Sequence, residues 1–169
     1  MLPMITIKQL EKSQISLLGQ IDRSEYIDTH YIYKNGVLET EVVAWDVPTW
    51  SNGAGDHSVG NLINECQSVL AADSVLLGAF DGEKVAGIAI LRHNLTEHMA
   101  QLALLHVSRA HRRQGVARRL TEEMVRLSKA TGATEMYVSA TPSGSAVGFY
   151  TSQGFKVAPP ERIRSNYTH

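Results

Sequence analysis

Thiols are nearly missing from this sequence. One cysteine, Cys66, excludes an intramolecular disulfide, and a lone thiol without clustered ligands offers nothing to a metal, so no metal is expected and a reducing, cytoplasmic setting fits. A surplus of either charge is missing too. Sixteen Lys and Arg against 17 acidic residues leave a formal charge of −1, which gives no global reason to expect nucleic acid or an anionic membrane as partner. No apolar run approaches the ~18 residues of a membrane span, and the start, MLPMITIKQLEKSQ, lacks the basic lead and apolar core of a secretory signal, so a soluble, unexported protein is expected. Repeats, low-complexity tracts and linkers are also lacking. The chain of 169 residues therefore reads as a single domain over 1–169, and 43% hydrophobic with 20% charged residues is an ordinary globular composition.

Periodicity places the elements. Met4 to Leu10 alternates like an edge strand, and a short helix is expected from Ser13. Tyr26 to Trp50 holds strand-forming residues around Asn35-Gly36, a hairpin turn signal, and reads as a hairpin or an ordered loop. After Gly53, Gly55 and Asp56, Ser58 caps a helix running to about Ala71, with Cys66 packing as a small hydrophobe. Val75 to Phe80 and Val85 to Leu91 form a hairpin across Asp81, Gly82, Glu83 and Lys84. Gln101 to Val107 is a strand, Gly115 to Thr131 an amphipathic helix stopped by Gly132, and Met136 to Ala140 a strand. Pro142 and Ser143 open a helix through about Ser152, and Gly154 with Phe155 starts a last strand. This order predicts an α/β fold with a mixed sheet flanked by helices, binding its ligand where strands diverge at their carboxyl ends.

Chemistry gathers between Val107 and the long helix. The loop Ser108-Arg109-Ala110-His111-Arg112-Arg113-Gln114 feeds a helix that starts at Gly115, Val116 and Ala117. A helix N-terminus presents unpaired amides and partial positive charge, which suit a phosphate or pyrophosphate. Gly115 and Ala117 allow close approach, while Arg112, Arg113, Arg118 and Arg119 add fixed charge. The competing reading is a solvated basic helix face; the strand before and the helix after favour an anion site.

Arg112, Gly115 and Ala117 resemble the Arg/Gln-x-x-Gly-x-Gly/Ala signature of the GNAT acetyltransferase superfamily. Ala146, Phe149, Tyr150, Gly154 and Phe155 are similar to that family's later Asn-x-x-Ala-x-x-Phe-Tyr and Gly-Phe segment. The resemblance covers about Val75 to Val157. It implies an acetyl-CoA-binding core over 75–157, a variable half over 1–74 that supplies acceptor-site elements, and a largely antiparallel sheet of six to seven strands with strands four and five splayed for the cofactor. It further implies that the backbone near Leu105 and Val107 pairs with pantetheine, that amides of Arg113, Gln114, Gly115, Val116, Ala117 and Arg118 hold the pyrophosphate, and that the Val107 NH faces the oxyanion. Tyr150 stands at the family's general-acid position, donating to the departing thiolate; its alternative is a helix tyrosine packed on Phe149.

Two departures bear on the site. Ser143 replaces an asparagine that contacts the cofactor, and it also suits a plain N-cap. Gln101 stands where some protein-modifying members carry a glutamate base, and an amide cannot serve as one. The remaining base candidates are Glu25, Asp28, His30, Glu97, His98, His106 or ordered water, and His106 alternates away from the Leu105 and Val107 side of its strand. The acceptor is expected along Asp22 to Trp50 and Asn94 to Met99. Acidic and aromatic residues there suit a small-molecule amine, cationic in character. Alternatives are a protein or peptide amine, a non-catalytic acyl-CoA-binding sensor or interaction module, and nucleic-acid binding through Arg109 to Arg119, which the near-neutral charge opposes. Family analogy allows a homodimer that no feature of the sequence demonstrates.

Overall fold

The computed structural model describes residues 4–50, 55, 58–139 and 144–157. It divides into two compact units. One comprises residues 1–24 and 48–138, the other 25–47 and 139–169.

The first unit is built on a five-stranded sheet. Its strands are β1 (Ile5–Leu10), β4 (Ser74–Asp81), β5 (Lys84–Thr96), β6 (Met99–Val107) and β7 (Glu135–Val138), in the spatial order β1-β4-β5-β6-β7. Every pairing is antiparallel except β6 with β7. Residues 88 and 90 of β5 point to one face, where Ile88 and Ile90 join Ile15, Leu18, Trp50, Cys66, Leu70, Leu76 and Leu104 in a buried core. That face is covered by a 3-10 segment, Lys12–Gln20, and by α1 (Val59–Ala71), which starts where the Ser58 hydroxyl accepts the Asn61 amide at 3.0 Å. The opposite face carries α2 (Val116–Ala130), whose Val116, Leu120 and Met124 are fully buried. A Cβ on Gly87 would lie 3.1 Å from both Val116 Cγ1 and Leu120 Cδ1, so the glycine sets how closely α2 approaches β5. Gly132, at φ +94°, ends α2 with its amide on the Lys129 carbonyl and the Ala133 amide on that of Ser128, a left-handed C-cap.

The second unit holds a two-stranded hairpin, β2 (Glu25–Lys34) and β3 (Val37–Val47), and α3 (Gly144–Ser152). Asn35 (φ 52°) and Gly36 (φ 81°) make its turn with both central residues left-handed, the geometry that follows strand twist. α3 packs on β2, where a Cβ on Gly144 would come within 3.1 Å of Thr29 Cβ.

Mixed α/β architecture with a mostly antiparallel sheet flanked by helices is thus what forms. Among the described residues seven strands form, five in one sheet and two in another. The strand expected at Gly154 and Phe155 does not form within the described residues. Gly154 (φ +94°) instead closes α3, its amide on the Thr151 carbonyl and the Phe155 amide on that of Tyr150. The expected opening of α3 at Pro142 and Ser143, the end of β7 at Ala140, and the break at Gly53 and Asp56 lie outside the described residues.

Candidate active site

The described pairing of β6 with β7 is short. Their parallel pairing covers Met99 to Leu102 of β6, against Glu135 to Val138, whereas β6 runs on to Val107. On its other side β6 stays paired with β5 as far as Gly87 and Val107, and the Ser108 amide then donates to the Ala86 carbonyl at 2.9 Å. Antiparallel peptide groups alternate in direction. Because Ser108 faces β5, so does His106, and the peptide groups of Leu105 and Val107 face the other edge of β6, the one that pairs with β7 as far as Leu102 and where the Val107 carbonyl accepts from Arg112.

The chain next makes a 3-10 turn over Arg109–His111. Arg113 (φ 62°) and Gly115 (φ 80°) are both left-handed, a backbone pattern that gathers amides into an anion-binding concavity. Gly115 is the N-cap of α2, and the first intrahelical bond runs from the Arg119 amide to its carbonyl at 3.0 Å. The amides of Val116, Ala117 and Arg118 therefore precede any helical acceptor, and among the described residues none accepts from them. Val116 offers only its amide, since its side chain is core.

The four arginines divide. Arg112 is turned onto protein carbonyls: Nε donates to Val107 O (3.2 Å), Nη1 to Ser24 O (2.7 Å) and Nη2 to Asp22 O (3.4 Å). Arg119 donates to the Ile5 carbonyl. Arg113 and Arg118 are exposed, Arg118 lying 3.9 Å from Glu122. Gln114 folds back on the Ala110 carbonyl at 3.3 Å. All four carry the fixed charge expected of them, but Arg112 and Arg119 have their guanidiniums bonded to protein carbonyls.

His106 points away from α2. It pairs with Ile88, which belongs to the opposite core, and its ring meets the edge of Trp50 at 4.9 Å. Arg23 lies over the same indole, its guanidinium 5.2 Å from the ring centre, with Nε donating to Pro48 O at 3.2 Å. Burial, reinforced by the charges of Arg23 and Arg112, holds the His106 imidazole down at about 4, which makes it neutral and a poor base. Arg23, Trp50 and His106 form a cluster that pattern reading missed; the residues lie far apart in the chain, and only the register of β6 carries a signal for it.

Glu97 and His98 sit in the β5–β6 turn, 3.5 Å from each other and exposed, at the opposite end of β6 from Val107. Eight residues of strand separate them from it by about 26 Å. Neither reaches chemistry at Val107, and the Asn94 to Met99 segment shares that position.

In the second unit, Tyr150 packs edge-on to Phe149 (5.2 Å) and Phe155 (5.6 Å), and burial pushes its phenol up to about 12. Both earlier readings of this tyrosine, a packed aromatic and a proton carrier, are compatible with such a site. His30 contacts Glu41 at 2.9 Å and Trp45 at 4.9 Å between ring centres; Glu25 accepts from Ser145 at 3.0 Å, and Asp28 accepts from Thr29 at 3.1 Å. Ser143 lies outside the described residues. Among the described residues there is no group of three or more His, Cys, Asp or Glu that could hold a metal, and no helix long and apolar enough to cross a membrane.

A family model, acetyltransferase (GNAT) domain, matches residues 57–169. The chain belongs to the GNAT acetyltransferase family. It is accordingly an acyltransferase by family, and no curated protein matches its sequence. Solved GNAT structures share the fold. Nourseothricin acetyltransferase superposes with a TM-score of 0.72 at 15% identity, covering 91% of this chain and 84% of that one. A Bacillus anthracis (strain Ames) protein assigned as a streptothricin acetyltransferase, solved with acetyl coenzyme A, gives 0.70 at 18%, covering 92% and 86%. The ribosomal-protein-S18-alanine N-acetyltransferase of Escherichia coli gives 0.62 at 20%, covering 92% and 80%.

Proposed function

We propose that this GNAT protein transfers an acetyl group from acetyl-CoA to a primary amine of a small molecule. The observation that carries the reading is the run of amides at Val116, Ala117 and Arg118, unpartnered among the described residues, behind a left-handed Gly115 and following the β6 edge that bears the Leu105 and Val107 peptide groups. A pyrophosphate fits the first feature and an extended amide chain the second. Leu105 and Val107 then pair with the pantetheine, amides from Arg113 to Arg118 hold the pyrophosphate, and Arg113 and Arg118 supply the free charge. Arg112 acts by holding the loop to β6, and Ser143 is a further cofactor contact by resemblance.

The acceptor nitrogen, as the neutral amine, attacks the thioester carbonyl; a C–N bond forms, the C–S bond breaks, the nitrogen releases one proton to water and the thiolate takes one up from water. The Val107 NH stabilises the oxyanion. Tyr150 donates towards sulfur. At about 12 its phenol is a weaker acid than a thiol near the ~8.5 reference, so its part is to give a hydrogen bond as charge develops on sulfur, with its proton always in place at physiological pH. Two of the neighbours named above are a nourseothricin acetyltransferase and a protein assigned as a streptothricin acetyltransferase, which supports a small acceptor; the third is named for a protein alanine.

Gly115→Glu tests the cofactor assignment. Bulk and negative charge at the pyrophosphate should abolish acetyl-CoA binding in calorimetry, and unchanged affinity overturns the reading. Thiol release measured across small amines and peptide N-termini tests the acceptor, with turnover confined to peptides moving it to the protein-directed class.

A further inference from the structure

Arg23 is a half-buried cation without an anion. Among the described residues it makes no ion pair, and its sequence neighbour Asp22 spends Oδ1 on the Ser24 amide at 2.9 Å. The indole of Trp50 covers one side of the guanidinium and Pro48 O takes Nε. What remains is the edge bearing Nη1 and Nη2, which matches the two oxygens of a carboxylate. Arg112 brings a second guanidinium nearby, hydrogen-bonded to neutral carbonyls; the Asp22 carboxylate feels the charge of Arg112 and of Arg109, yet among the described residues no carboxylate lies in ion-pair range of Arg23 or Arg112, the two positive charges that border His106. Cations taken partly out of water are ordinarily paired.

The location decides which substrate supplies the anion. Arg112 joins Val107 O to Ser24 O and Asp22 O, which holds residues 22–24 against the end of β6. His106 and Trp50 lie on the face of the sheet opposite α2, away from the helix N-terminus whose amides suit the pyrophosphate. The free edge of Arg23 is therefore separate from the cofactor's phosphate site while remaining close to Val107.

We infer that Arg23, backed by Trp50, binds a carboxylate on the acceptor, so that the substrate is an amine which also carries a carboxylate, an amino acid or a derivative of one. The inference rests on the acetyl-transfer reading above and narrows its acceptor. It also bears on the base: positive charge from Arg23 and Arg112 favours the neutral form of a nearby amine, which is the form that attacks.

The test uses amine pairs that differ in one carboxylate, lysine against cadaverine and ornithine against putrescine. The intact protein should favour the carboxylated member at least ~10-fold in kcat/KM. Arg23→Gln should raise KM for that member by about the same factor, with little change for the decarboxylated partner or for acetyl-CoA affinity, and Arg23→Lys should restore part of the loss. Hexanoate, which has no amine, should compete with the acceptor and not with acetyl-CoA on the unaltered protein, a readout that survives if Arg23→Gln folds poorly. Turnover without preference for the carboxylate, or equal loss on both members, overturns the inference alone. No turnover of any amine by a protein that binds acetyl-CoA overturns the transfer reading and this inference with it.

Discussion

His106 has an ordinary value of 6.5 and is held at about 4 in the fold, mainly by burial. Between these values the unfolded chain binds a proton that the folded one refuses, so stability is intact above about pH 6.5 and is lost as pH falls towards 4. The loss attributable to this residue at pH 4.5 is at most about 2.5 kcal/mol. Urea unfolding at pH 7.5 and 4.5 should therefore show a larger acid decline for the native sequence than for His106→Gln, and equal declines would remove the effect. Tyr150 makes a different prediction. Because its phenol keeps its proton far above neutrality, Tyr150→Phe should lower kcat by about 10- to 100-fold without altering acetyl-CoA affinity or the pH dependence between 6 and 10. Full activity in that variant ends its role as donor. Arg112 separates two roles in one side chain. Its three carbonyl contacts predict that Arg112→Met loses about 2 kcal/mol of stability, whereas a guanidinium used only for phosphate would leave the urea midpoint in place.

Between elements, the contact of α2 with β5 turns on Gly87. An added methyl meets Val116 and Leu120 at 3.1 Å and the His106 carbonyl at 3.2 Å. Gly87→Ala should cost about 1–3 kcal/mol, measured by thermal or urea unfolding. Leu120→Val in the same chain should recover only part, because a backbone carbonyl on a central strand cannot retreat as a side chain does; full recovery would show that the side chains alone resist. Elements specified by their own residues were legible in the sequence. Asn35-Gly36 dictates the β2–β3 turn, Ser58 starts α1, and Gly115 and Gly132 bound α2. Gly154 misled, since the same residue that opens a strand also closes a helix, and which applies depends on where the Tyr150 and Thr151 carbonyls find donors. The loop proposed to hold the cofactor was legible as a motif, but the direction of the Arg112 guanidinium was not, because its acceptors at residues 22–24 are brought to it only by tertiary packing. The Arg23, Trp50 and His106 cluster was hidden for the same reason.

For the molecule as a whole, a formal charge of −1 and a pI near 6.6 mean that no long-range field draws anions in. Attraction for a phosphorylated ligand must come from charges within a Debye length of the α2 N-terminus, about 10 Å at 0.1 M salt. Arg112 and Arg119 keep their charge but are held on backbone oxygens, whereas Arg113 and Arg118 are exposed and free to turn to a ligand, Arg118 from a position 3.9 Å from Glu122. Raising salt from 50 to 500 mM should accordingly weaken acetyl-CoA binding modestly, by about threefold to tenfold, and Arg113→Gln with Arg118→Gln should remove most of that sensitivity while retaining the part of the affinity carried by backbone amides. The backbone share is testable in the same titrations: a ligand that binds only the folded state at 100 times its Kd adds about 2.7 kcal/mol of stability, so the doubly substituted protein should still gain stability on adding excess acetyl-CoA. If the substitutions leave the salt dependence unchanged, the charge acts from elsewhere in the chain. If they abolish binding, the helix terminus contributes little without its arginines, and the amides of Val116, Ala117 and Arg118 are not the main anchor of the pyrophosphate.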